Sequence, residues 1–181
     1  MKQILVVLGL AFLLSGIYTS CKEDTLEALR DREIEILDKY VKDNNLTEYK
    51  DVDSGIYFKE VEKGTGDTIK SGYKVMLQYN ISLMDSTKIF STEDKYGHTY
   101  EEDAFYVDIS NDQVNESYVQ QIAGMHVGLK KMQIGGRAIM IIPSELAFKA
   151  VDYSSTLGIP RFSSLLVSVY AKKGTAPAPQ E

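Results

Sequence analysis

Tryptophan is absent from this 181-residue chain, histidine occurs twice and cysteine once. His98, His126 and Cys21 have no ligand spacing among them, which argues against a zinc or transition-metal centre. The acidic run Glu101-Glu102-Asp103 reads as a solvated loop rather than a calcium site. No glycine-rich phosphate loop and no nucleophile elbow occurs, so no cofactor is expected. Basic residues do not gather on a stripe, and 26 acidic against 20 basic side chains leave a formal charge of −6. That balance argues against a nucleic-acid partner. No apolar run is long enough to cross a bilayer core of ~30 Å, since Ile4 to Leu14 is only eleven residues. With 44% hydrophobic residues, the chain can bury one core and is too short for two large ones.

What is present begins with an address. Lys2 supplies a positive start, Ile4 to Leu14 an apolar centre, and Ser15 to Ser20 a small, polar approach to Cys21. This is the pattern of a signal peptide over residues 1–20. The lone Cys21 resembles the modification site of bacterial lipoproteins, although Tyr18 stands where leucine is common. That resemblance implies a membrane partner reached through an acylated Cys21, and a cell-envelope, outer-membrane location on the periplasmic or surface face. Lys22-Glu23-Asp24 resembles the short signal of some surface-exposed lipoproteins. Ordinary cleavage near Ser20, or a free thiol in an exported protein, are the competing readings.

Residues 21–54 read as an anchor and helical spacer. Asp24 can cap a helix, with Glu27 reaching back to it. Leu26, Leu29, Ile36, Leu37, Tyr40 and Val41 then share one face, opposite Arg30, Arg32 and Lys39. Asn44-Asn45 ends the helix. A spacer packed on the domain's flank is the main reading, with a dimerising helix as the alternative.

From Gly55 the period changes to two. Ile56, Phe58 and Val61 begin a strand closed by the turn Lys63-Gly64-Thr65-Gly66-Asp67. Tyr73 to Leu83 alternates with Val75, Leu77, Tyr79, Ile81 and Leu83 on one face. Asp85-Ser86 turns the chain back into Lys88-Ile89-Phe90 as a hairpin. Ser91 to Asp103, with Gly97 inside it, reads as a loop, and Phe105 to Ile109 as a strand. A helix is predicted over Tyr118 to Met132, from the spacing of Ile122, Met125, Leu129 and Met132. Gly135-Gly136 is expected to stop it, and Ala138 to Ile142 to form a buried strand ended by Pro143. A loop over Val151 to Arg161 and a last strand over Ser164 to Ala171 follow. Residues 55–172 form the domain and 173–181 a disordered tail. With only one helix between strands, parallel crossovers are not available. The fold class is therefore α+β: a twisted, mostly antiparallel sheet of four to six strands wrapped over one helix and preceded by an N-terminal helix.

The run Ile142-Pro143-Ser144-Glu145-Leu146-Ala147-Phe148, after helix, double glycine and buried strand, resembles the FKBP-type peptidyl-prolyl isomerases, whose near-identical string ends in Ala-Tyr-Gly. Gly64-Thr65-Gly66, Tyr79 and Phe90-Ser91 extend the resemblance over about Gly55 to Lys172. It implies an FKBP-like fold acting on proline-containing polypeptide clients, with no metal and no cofactor. Tyr79, Phe90 and Phe105 would wall the cavity, Ile122 would hold a ligand carbonyl through its backbone amide, and Ile159 and Pro160 would lie over the mouth. Four positions depart from the family: Ser91 replaces an aspartate, Met125 a tryptophan, Phe148 the tyrosine whose hydroxyl donates to substrate, and Val167 a phenylalanine. The apolar character survives and the polar handles do not. The resemblance implies an exported, lipid-anchored isomerase of weak activity, or a catalytically inactive FKBP-like binding or scaffold lipoprotein of an envelope complex.

Overall fold

A computed structural model of the chain describes residues 25–93, 101–109 and 117–178. The signal segment, Cys21, Asp24 and Gly97 lie outside the described residues. Six strands form one antiparallel sheet: β1 (Tyr57–Glu62), β2 (Lys74–Leu83), β3 (Lys88–Ser91), β4 (Asp103–Tyr106), β5 (Arg137–Ile142) and β6 (Leu165–Thr175). Their order is β1-β5-β6-β2-β3, and β4 pairs with β2 beside β3. β2 and β6 are the long central pair. Their register sets Tyr79 against Val169 and Ile81 against Val167, and β5 continues these rows with Ala138 and Met140. The alternation in each strand thus becomes one continuous apolar face across the sheet. β6 runs past Ala171 to Thr175, because its last residues still find partners in Lys74, Val75 and Met76.

Helix α1 (Leu26–Asp43) and helix α2 (Ala123–Leu129) lie on opposite faces of this sheet. α2 is much shorter than the predicted helix over Tyr118 to Met132. Val119–Gln121 is a separate 3-10 turn, and Ile122 is extended at ψ 100°. Tertiary bonds explain the break. The buried Gln120 side chain donates to Tyr106 O at 2.6 Å and accepts from Tyr106 N at 3.0 Å, which ties the turn to β4. The double glycine does not end the helix either. Gly135, at φ +88°, turns the chain into β5 and donates to Ala171 O at 2.7 Å.

Gly124 and Gly128 let α2 lie directly on β5. A Cβ at Gly124 would sit 2.3 Å from Ile142 Cγ2, and one at Gly128 2.0 Å from Met140 Sδ. Each glycine costs a helix about 1 kcal/mol relative to alanine. Met125 and Leu129, both fully buried, contribute roughly 1.5–3 kcal/mol each, so packing outweighs propensity.

α1 is capped by Thr25, whose Oγ1 accepts from Ala28 N at 3.2 Å; the described cap is therefore not Asp24. Val41 packs with Tyr57 and Ile141, flanked by Leu37, Tyr40, Leu46, Met84 and Leu166. The predicted apolar face is only partly right. Leu26 and Ile36 are about half exposed (51% and 48%), while Glu33 is buried. The loop over Val151 to Arg161 contains a short helix, α3 (Ser154–Leu157), closed by Gly158 at φ +72°.

The α2–β5 contact yields a test. Gly124→Ala should lower the unfolding free energy by roughly 1–3 kcal/mol through overpacking against Ile142, read from the denaturant midpoint at unchanged slope.

Candidate functional site

One strand and three connecting segments converge beside α2. Phe90 enters from β3, directly opposite Ile81. Phe148 enters from the segment after β5, where residues Ser144–Leu146 form a 3-10 turn. Tyr118 comes from just before α2 and Tyr153 from just before α3. The four rings form a closed circuit. Phe90 stacks on Tyr118 at 6.4 Å, Tyr118 stands edge-on to Tyr153 at 5.7 Å, Tyr153 edge-on to Phe148 at 5.4 Å, and Phe148 tilts towards Phe90 at 6.4 Å. Beneath them Ile122, Met125, Val167 and Ile159 are all fully buried.

Seven expected residues, Tyr79, Phe105, Ile122, Met125, Phe148, Ile159 and Val167, share one apolar cluster, and Phe90 packs against it. The placements differ in kind. Phe105 is buried with its ring 4.7 Å from that of His126 rather than in the four-ring circuit. The Ile122 backbone N–H bonds Val119 O at 3.2 Å. Pro160 is exposed at the rim, its carbonyl accepting from Ser163 Oγ at 2.8 Å. Ser91 is not brought to the cluster. It pairs with Asn80 across the ladder, on the opposite face from Phe90, and its hydroxyl donates to Asn80 Oδ1.

The Tyr79 phenol donates to Asp103 Oδ2 at 2.7 Å. Burial, and then the hydrogen bond and charge of Asp103, hold that phenol well above the usual tyrosine range. Among the described residues no group of three His, Cys, Asp or Glu is placed to hold a metal. What the arrangement offers is a set of aromatic rings over a buried apolar floor, with no carboxylate, imidazole or amine among them.

Tyr118 and Tyr153 were not among the expected wall residues. Tyr118 had a signal, since Tyr118, Ile122 and Met125 recur at four- and three-residue spacing. Tyr153 had none, because only a loop brings it there; its backbone pairs with Ile159 at 3.0 and 3.3 Å. Tyr118 is also the most open ring, 39% exposed. Its two ring contacts are worth ~0.5–1.5 kcal/mol each, so an entering apolar group can displace it at modest cost. Lys149, beside Phe148, adopts φ +56°, a left-handed conformation that non-glycine residues take only when surrounding bonds impose it.

Comparison with known proteins gives a consistent picture. A family model described as FKBP-type peptidyl-prolyl cis-trans isomerase matches residues 66–170. FK506-binding protein 4 of Chaetomium thermophilum is 30% identical over 115 residues, covering 64% of this chain and 20% of that protein. The chain therefore spans about a fifth of that relative's length. Among solved structures, FkpA from Escherichia coli superposes with a TM-score of 0.65 at 24% identity, over 96% of this chain and 73% of that one. A peptidyl-prolyl cis-trans isomerase from Pseudomonas syringae gives 0.62 at 20% identity, over 83% and 96%. At these identities the likeness speaks for the fold.

The Tyr79 phenol gives a pH test. Its ionisation is moved to higher pH on folding, so its stabilisation is complete below the unfolded value of about 10 and is lost as pH rises above it. Tyr79→Phe should cost on the order of 1 kcal/mol near neutral pH. The gap to wild type should narrow above about pH 10, in denaturant titrations run across that value.

Proposed function

The chain belongs to the FKBP-type peptidyl-prolyl cis-trans isomerase family, and from that premise we propose that it is a weak, exported and lipid-anchored isomerase acting on proline-containing segments. Rotation about an X-Pro bond meets a barrier of ~18–20 kcal/mol and takes ~10–100 s unassisted. It needs neither proton transfer nor metal. An apolar seat that strips water from the prolyl amide favours the twisted amide over the planar one. The observation that carries this reading is the convergence of Phe90, Phe148, Tyr118 and Tyr153 above the buried floor of Ile122, Met125 and Val167.

One observation favours a second reading, a binding or scaffold lipoprotein that holds such a segment without turning it over. Phe148 carries no hydroxyl and the Tyr79 phenol is spent on Asp103, which leaves the Tyr118 and Tyr153 hydroxyls as the ring donors able to favour the transition state over the ground state. Export and anchoring are supported by the signal-like segment and Cys21, which imply an outer-membrane position in the cell envelope. No described helix is long and apolar enough to cross a membrane.

Exchange NMR on a proline peptide decides between the two readings. The mature chain should accelerate cis–trans exchange weakly, with shifts at Phe90, Tyr118 and Phe148. Phe148→Tyr should raise the rate several-fold, matching one added hydrogen bond of ~1 kcal/mol. Binding shifts without any acceleration, in both proteins, would leave the scaffold reading. Separately, Cys21→Ser should move the protein from the membrane to the soluble fraction of cells. Continued membrane association would reject the anchor.

A further inference from the structure

A carboxylate sits inside the contact between α1 and the domain. Glu33 is 8% exposed, and it lies with Leu29, Leu37 and Val41 on one stripe at four-residue spacing. Its Oε1 accepts from Ser144 N at 2.8 Å and from Ser164 Oγ at 2.7 Å, and its Oε2 from Ser144 Oγ at 2.6 Å. Both serines are themselves buried, at 0% and 3% exposed. An acid at a stripe position otherwise given to leucine and valine needs such partners, because an unpaired buried carboxylate is strongly disfavoured.

The two serines belong to the two loops that build the site. Ser144 opens the segment that ends in Phe148, and Ser164 closes the loop that carries Tyr153 and Ile159. The bonds continue inward from Glu33. Ser144 O accepts from Lys149 N at 2.8 Å, and Lys149 O accepts from Phe162 N at 2.8 Å. Lys149 and Phe162 are both left-handed, at φ +56° and +53°. Two strained non-glycine residues are therefore held by one hydrogen-bond chain that starts at a helix more than a hundred positions earlier. An ion pair between Arg30 and Glu145 lies next to it, but both side chains are about half exposed, and such pairs contribute little.

We propose that Glu33 is a positioning residue for the prolyl site: docked by α1, it clamps both loops so that Phe148 and Tyr153 keep their edge-on contact. The proposal rests on the isomerase reading for its consequence in catalysis, and on geometry alone for the clamp. Glu33 does not touch the ring circuit. It acts through Ser144 and Ser164.

The test compares Glu33→Ala with the isosteric Glu33→Gln in the mature chain. Glutamine Oε1 can keep both of its donors, and its amide can donate to Ser144 Oγ. Glu33→Ala should speed amide hydrogen exchange at Lys149 and Phe162 by ~10-fold or more while the β2–β6 ladder amides hold their wild-type rates. It should also shift the Phe148 and Tyr153 ring resonances and lower kcat/KM for the peptide several-fold. Glu33→Gln should restore all three readouts to within about twofold of wild type. Unchanged exchange at Lys149 and Phe162 in Glu33→Ala, loosening spread over the whole sheet, or no recovery in Glu33→Gln would each overturn the clamp. Should Glu33→Ala not fold, Ser164→Ala carries the same test at Phe162, and an unchanged rate there would be decisive against it. A wild-type protein silent in the peptide assay removes the isomerase reading alone, and the exchange data still judge the clamp.

Discussion

The structure depends on the close seating of α2 on β5. No side chain stands between the backbone of Gly124 and Gly128 and the side chains of Ile142 and Met140. A helix of seven residues is marginal by itself, and two glycines weaken it further. It exists because Met125 and Leu129 are wholly enclosed against the sheet. That close approach also sets how near Met125 lies to the sheet. A helix lifted by one methyl group would raise Met125 away from Val167 and alter the floor over which the four rings meet.

The ring circuit shows how an apolar site protects itself. With each wall ring in contact with two others, the molecule hides aromatic surface that would otherwise face water. With the Tyr79 phenol engaged and no hydroxyl on Phe148, solvent exclusion and the Tyr118 and Tyr153 hydroxyls are the chemical resources left. Water exclusion serves both holding and turning a prolyl segment, and directed donors serve turning above all. The tension between the isomerase and the scaffold is thus a matter of hydrogen bonds rather than of shape.

α1 bears on this indirectly. It covers the sheet face opposite α2 through Val41, Tyr57 and Ile141, and through Glu33 it reaches Ser144 and Ser164 at the roots of both site loops. A helix that reads in sequence as a spacer is also part of the frame around the rings. Strain at Lys149 and Phe162 is tolerable there because the surrounding bonds fix those backbones.

The sequence by itself determined the fold class and most strands, since alternation in Tyr73 to Leu83 and the apolar run Ala138 to Ile142 are local patterns with one good solution; the strand expected over Phe105 to Ile109 instead runs Asp103–Tyr106, because Leu77 and Met76 offer partners to Asp103 and Ala104. It also carried the family motif through Phe148. Only the tertiary structure decided that the expected helix breaks at Ile122, because the Gln120 bonds to Tyr106 come from another strand. Only it turned Ser91 to the far face, through a ladder register that no neighbour of Ser91 encodes. The same holds for Tyr153 and Glu33. Their partners lie in other loops and elements, and a side chain's burial is set by what the fold brings to it rather than by its own spacing along the chain.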